Sequence, residues 1–180
     1  MDNINVLFGP NGAGKSSFLD TIWFIRDCAI RGVELASSDR DHGIGLLWEG
    51  ADHTSGISIK LDIGTSVYEV LFGYSHGRIE PFVGEKFFSR KLNIDLINRK
   101  TGSNKFRFYN DISEQFEVRR LSEPEKLALT VYSYLAELSG AYETDQFLHL
   151  IRHYQPRYLD LYHIKKFGSE SDFQTRLSDR

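Results

Sequence analysis

Gly9-Pro10-Asn11-Gly12-Ala13-Gly14-Lys15-Ser16 satisfies the pattern G-x-x-x-x-G-K-[ST], and it stands between two segments of different periodicity. Upstream, Ile4-Asn5-Val6-Leu7-Phe8 is a short β-type apolar run. Downstream, Phe18, Leu19, Ile22, Phe24 and Ile25 give one broad apolar face, predicting a helix from about Lys15 to Asp27 with Gly32 as its stop. Strand, glycine-rich turn and helix in this order open an α/β unit that holds a phosphate. The glycines let the backbone curl so that successive N–H groups point inward around an anion. The helix beginning there adds its positive end. Lys15 suits the β- and γ-phosphates as a point charge, and the Ser16 hydroxyl suits Mg²⁺.

The rest of the chain divides into two further zones. Residues 44–120 read as β-rich. Ile57 to Ile63 alternates apolar and polar as a half-buried strand does. Val67 to Tyr74 is a second candidate, followed by the turn Ser75-His76-Gly77 and a run from Arg78 to Val83. Leu92 to Asn98 and Phe106 to Tyr109 flank the loop signal Thr101-Gly102-Ser103-Asn104. These describe an antiparallel meander inserted after the first helix. Residues 121–180 read as helical. Ser122-Glu123-Pro124-Glu125 fits a capping box, predicting a helix through Leu127, Leu129, Val131, Tyr134, Leu135 and Leu138 that ends near Ser139-Gly140. A second helix is expected from about Glu143 to Tyr154, ahead of Pro156, and the polar tail after Phe167 is expected to fray. The fold class is therefore mixed α/β: a strand–loop–helix unit, an inserted β meander and a C-terminal helical segment.

Charge is uneven along the chain. Residues 1–85 carry 12 acids against 6 Lys/Arg, whereas 86–107 carry 7 Lys/Arg against Asp95 alone. Lys86, Arg90, Lys91, Arg99, Lys100, Lys105 and Arg107 form either a solvated rim or a weak, salt-sensitive surface for DNA. Phe87, Phe88, Phe106, Phe108 and Tyr109 interleave with them, and Phe106 and Phe108 share one strand face that is expected to look into the core. No apolar run is long enough to span a bilayer, and the N-terminal residues, with no basic region leading into an apolar stretch, are not expected to act as a signal peptide. The single cysteine, Cys28, forms no internal disulfide. These features predict a soluble cytoplasmic protein.

Other signals carry less. His149 and His153 lie at i and i+4, the spacing of zinc ligands, but Leu150 stands where a metalloprotease has its glutamate, and a third ligand would have to be His163. Asn104-Lys105-Phe106-Arg107 begins like the guanine-reading N-K-x-D, yet Arg107 occupies the place of the ring-binding carboxylate.

Gly-Pro-Asn-Gly-Ala-Gly-Lys-Ser-Ser, with Asn11-Gly12 inside the loop, resembles the Walker A of ABC-class P-loop ATPases. The resemblance is closest to the RecF, SMC and OLD-like branch, often grouped as AAA-family ATPases. Leu46-Leu47-Trp48-Glu49-Gly50, the β meander and the segment 122–138 are similar to that branch as well. The resemblance implies ATP and Mg²⁺ as cofactors. It implies that Gly9, Pro10, Asn11, Gly12, Ala13, Gly14, Lys15, Ser16 and Ser17 contact the nucleotide and that Ser16 ligates the metal. It also implies self-association or a second ATPase half, a role in DNA repair, chromosome maintenance or phage defence, and DNA or a nuclease as partner.

The pattern departs from the family at several points. A Walker B would be four apolar residues before an Asp, and Leu159-Asp160, Ile94-Asp95 and Leu61-Asp62 all lack the lead-in. No glutamine lies between Ser16 and Gln115 to sense metal and water. Leu138-Ser139-Gly140 is a fragment of the signature motif, with Tyr142 where the family has glutamine, and reads as a helix C-terminus. The family's lead-in strands would precede Met1. Residues 1–180 are thus expected to form one ATPase domain incomplete at both ends, divided as 1–43, 44–120 and 121–180. These residues alone are expected to bind ATP but to turn it over very slowly or not at all, with Glu49, Asp52 and Asp160 the first carboxylates to substitute should turnover be found. A small-molecule kinase and a non-catalytic nucleotide sensor are the alternatives.

Overall fold

The computed structural model describes residues 7–46, 56–133 and 140–151. Helix α1 (Lys15–Arg31) follows the glycine-rich loop and ends at Gly32, whose φ of 89° turns the chain directly into α2 (Val33–Ser38). The apolar periodicity had placed the end of α1 near Asp27. The helix runs one turn further because Cys28 and Ala29 extend its buried face. A kinked 3₁₀ segment, Asp41–Leu46, comes next, with His42 and Gly43 in the left-handed region.

Six strands then form one antiparallel sheet: β1 (Ile57–Ile63), β2 (Ser66–Phe72), β5 (Gly84–Ser89), β6 (Ile94–Arg99), β7 (Lys105–Asn110) and β8 (Gln115–Arg120), in that spatial order. A separate small hairpin, β3 (Tyr74–Ser75) and β4 (Arg78–Ile79), is inserted between β2 and β5. Its turn is Ser75-His76-Gly77, as the glycine signal implied, but the run to Val83 pairs only at Arg78 and Ile79. The expected meander is present. Two of its strands, β5 and β8, lie where no strand was delimited in advance.

Register makes the sheet two-faced. On the inner face, Tyr68, Phe87, Ile97 and Phe108 form one cross-strand row. The next row is Ile59, Val70, Glu85, Arg99, Phe106 and Arg119. Directly opposed residues lie on the same side of a sheet, so these rows pack as units. The helices cover this face: Phe24 of α1 meets Phe72 at 5.0 Å between ring centroids, and Tyr132 meets Phe108 at 5.5 Å. Phe106 and Phe108 are buried, as their shared parity required.

Tyr132 belongs to α3 (Ala128–Ser133), and α3 does not start where the capping box placed it. Ser122 is exposed and caps nothing among the described residues; residues 122–126 form turns. The cause is a buried ion pair. Arg99 Nη2 donates to the Pro124 carbonyl at 2.6 Å and Nη1 to that of Lys126 at 3.0 Å. Glu85 accepts the Ala128 amide at 2.6 Å and the Leu129 amide at 3.2 Å. In a helix begun at Ser122, Pro124 and Glu125 would accept those two amides themselves. Here Arg99 takes the first carbonyl, and Val33 N–H takes the second at 2.9 Å. The helix is therefore held off until Ala128.

The last described element is α4 (Ala141–Leu150), which packs against α1 and α3. Gly140, at φ 76°, is its N-cap. Gly140 thus opens a helix, and α4 begins two residues before the expected Glu143; the expected end of the preceding helix near Ser139-Gly140 falls on 134–139, which lie outside the described residues. The chain leaves helical geometry at Ile151. Tyr134, Leu135, Leu138 and the polar tail lie outside the described residues. No helix among the described residues is long and apolar enough to cross a membrane.

Candidate functional site

The loop 9–17 and the first turn of α1 form the candidate site. Leu7 and Phe8, expected to end a strand, belong to none, and Phe8 is 92% exposed. A strand needs a neighbour to bond, and these two residues have none among the described ones; Ile4 to Val6 lie outside them. The loop itself is sharply curled. Gly12 and Gly14 sit at φ 82° and 81°, left-handed conformations that an L side chain resists by about 1–2 kcal/mol. Between them Ala13 N–H closes a turn onto the Pro10 carbonyl at 3.3 Å.

Gly14 is the N-cap of α1, and no side chain caps the helix. The first internal helix bond runs from Phe18 N–H to the Gly14 carbonyl at 2.9 Å. The amides ahead of it have no intrahelical acceptor by construction. The first turn holds no acid, so its positive end is not neutralised from within. Ser16 and Ser17 are exposed beside these amides. Lys15 folds back over the loop, its Nζ donating to the carbonyls of Gly9 at 2.9 Å and Pro10 at 2.7 Å. An ammonium has three protons, so one remains uncommitted. The donor set of this corner (orphan amides, one lysine, two hydroxyls) fits a polyphosphate with a hard cation.

Behind the loop, α1 is fixed by Arg40. Its guanidinium donates to Asp20 through Nε and Nη2 at 3.2–3.3 Å, to Asp27 at 3.2 Å and to the Ala36 carbonyl at 3.0 Å, and it lies over the Phe24 ring at 5.3 Å. Asp20, one helical turn from Ser16, is thereby committed to a structural pair.

Two other carboxylates named from the sequence are paired with cations on or beside the sheet. Asp62 accepts two bonds of 2.6 Å from Arg90, which hold its carboxyl below the usual aspartate range, and Asp95 pairs with Lys86 at 3.3 Å. Both sit on the sheet. Glu49, Asp52 and Asp160 lie outside the described residues. Among the described residues no group of three or more His, Cys, Asp or Glu could hold a metal. His149 turns its Nδ1 to the Asp145 carbonyl at 2.8 Å, while His153 and His163 are outside the described set. Burial pushes the Asp145 carboxyl up, partly opposed by His149, and burial also pushes the Cys28 thiol up, leaving it no ready nucleophile.

The basic stretch is not a single surface. Arg99 is fully buried against Glu85, Arg90 is tied to Asp62 and Lys86 to Asp95. An inward arginine was legible only as an opposite-charge pair at inward parity, Glu85 facing Arg99, and that needs the register of β5 on β6.

A family model described as "AAA domain, putative AbiEii toxin, Type IV TA system" matches residues 4–177. No curated protein and no solved structure matches the chain.

Proposed function

Because the chain belongs to this family of AAA domains, we propose that its glycine-rich loop is a Walker A that binds ATP with Mg²⁺, in an ATPase of the ABC type and RecF/SMC/OLD-like branch. The observation that carries the reading is the uncapped, acid-free start of α1 behind two left-handed glycines, with the Lys15 ammonium drawn across the loop. The amides of Gly12 and of Gly14 to Ser17, with the Lys15 ammonium, would receive the phosphates, and Ser16 would ligate the metal, which spreads the charge of the triphosphate.

Hydrolysis needs a second metal ligand and a carboxylate to orient water. Both would come from Glu49, Asp52, Asp160 or a facing ATPase half, and without them the chain acts as a nucleotide sensor. DNA maintenance or phage defence is the process this assignment favours.

Calorimetric titration with ATP–Mg²⁺ tests the site. Lys15→Ala removes one charge-assisted contact and is expected to weaken binding by roughly 1.5–3 kcal/mol, on the order of ten- to a hundredfold in Kd. Equal affinity for the two proteins would sink the assignment. Phosphate release in the same samples separates enzyme from sensor: turnover lost in Lys15→Ala marks the first, binding without turnover the second.

A further inference from the structure

The outer face of the sheet divides by charge. One straight row crosses all six strands: Lys60, Glu69, Lys86, Asn98, Arg107 and Val118. On its β1–β2–β5 half the signs alternate, and Lys86 is further neutralised by Asp95 at 3.3 Å. Directly opposed charges favour such alternation, because like charges across a strand pair destabilise it. The β6–β8 half breaks this rule. Lys105 faces Arg120 directly, Arg107 lies on the same side of the sheet two residues along, and Lys100 joins them at the end of β6. Asp95 is the one carboxylate on this face in the three strands, and Lys86 holds it. Lys100, Lys105, Arg107 and Arg120 have no carboxylate within 4.0 Å among the described residues.

Lys100, Lys105 and Arg107 line a groove of about 410 Å³ together with Asn98, Ser103, Phe106 and Val118. Beside it stands an aromatic step. The Arg107 guanidinium lies over the exposed Phe116 ring at 4.3 Å, and Phe116 meets Tyr109 edge to face at 5.3 Å. A guanidinium carried over a ring can still offer N–H groups to a phosphate. The ring in turn offers a face for a base, and stacking of this kind tolerates any sequence.

We infer that this half-face is a binding surface for single-stranded nucleic acid, with Lys100, Lys105, Arg107 and Arg120 on the backbone and Phe116 under a base. One observation favours a single strand over an acidic polypeptide: the aromatic step adjoins the cations, so that a base can stack where the backbone is held. The chain as a whole carries a net charge of −3, so general basicity does not supply the attraction. The surface includes Arg120, which lies outside the basic stretch, and excludes Arg99, which lies inside it.

The test is fluorescence anisotropy of the full chain with a labelled oligothymidylate, across a salt series and without nucleotide. Four phosphate contacts on a single strand predict a slope of log Kobs against log[salt] of about −3. Lys105→Glu with Arg107→Glu, both exposed and so expected to keep the wild-type melting temperature, should weaken binding about tenfold or more and roughly halve the slope. Phe116→Ala should weaken it about fivefold with the slope unchanged. Lys60→Glu, on the alternating half, should change little. No binding at low salt overturns the proposal, as does an equal loss in Lys60→Glu. Displacement by polyglutamate as readily as by unlabelled oligonucleotide, with Phe116→Ala silent, assigns the face to an acidic protein and overturns it too.

Discussion

Glu85→Ala is expected to lower folding stability by about 3–5 kcal/mol, read as a shift in the urea midpoint at unchanged slope. The carboxylate is wholly buried and makes four bonds: from Tyr68 Oη at 2.8 Å, Arg99 at 3.1 Å and the Ala128 and Leu129 amides. Removing it leaves the Arg99 guanidinium without a counter-charge in a dry core and strips the acceptor from the start of α3. Many buried ion pairs are replaced by apolar residues without loss, because desolvation has cancelled their attraction. This one differs. Its partners include two backbone amides and the carbonyls of Pro124 and Lys126, which no apolar pair can satisfy. Glu85→Leu with Arg99→Leu should therefore stay destabilised by more than about 2 kcal/mol, since unpaired buried backbone groups cost 1–3 kcal/mol each. Recovery to wild-type stability in that double variant would show that the pair only neutralises itself.

Phe24→Ala is expected to cost about 3–5 kcal/mol, the range for deleting a buried ring. Phe24 is fully buried, packs on Phe72 and carries the Arg40 guanidinium over its face. Its loss opens a cavity between α1 and the sheet and releases the clamp that ties Asp20 and Asp27 to α2. Phe24→Leu keeps most of the volume and should cost under about 1.5 kcal/mol. The pair of variants also separates packing from ligand chemistry. If ATP–Mg²⁺ binds to the folded fraction of Phe24→Ala as to wild type, the loop is formed locally. If affinity falls with stability, the loop depends on how α1 is seated.

Much of this architecture was legible because it rests on short-range rules. The loop and the start of α1 follow from glycine conformations and apolar spacing. Strand β1 follows from strict alternation over Ile57–Ile63, and the hairpin turn at Ser75-His76-Gly77 from a glycine that adopts positive φ. What stayed hidden depends on residues far apart in the chain. Strand β5 carries Glu85 at an inward position, which reads as a break in an apolar pattern until Arg99 is placed opposite. Strand β8 is exposed on nearly its whole length and gives no burial signal of its own. The capping box at Ser122 is a sound local motif overruled by the same ion pair, which takes the partners that a helix would need. For the candidate site, the glycine-rich loop was readable from eight consecutive positions. The cationic half-face was not, because its members come from three strands and are sorted by register into inward and outward sets.

The seating of α1 has a thermodynamic consequence. Its 17 residues span about 25 Å, yet every buried residue lies in the last eight, from Phe24 to Ala29, while residues 16–19 are exposed. The loop thus sits at the end of a rod whose buried residues lie in its far half, tied nearer the loop by the Asp20–Arg40 pair, and local opening there costs far less than unfolding of the sheet. A ligand stabilises the state it binds against the state that opens. A nucleotide on this loop therefore opposes fraying of the first helical turns as well as melting of the core, each by the free energy of its binding. Because fraying starts from the smaller opening cost, amide exchange from Gly12 to Phe18 is where occupancy is expected to be read most directly.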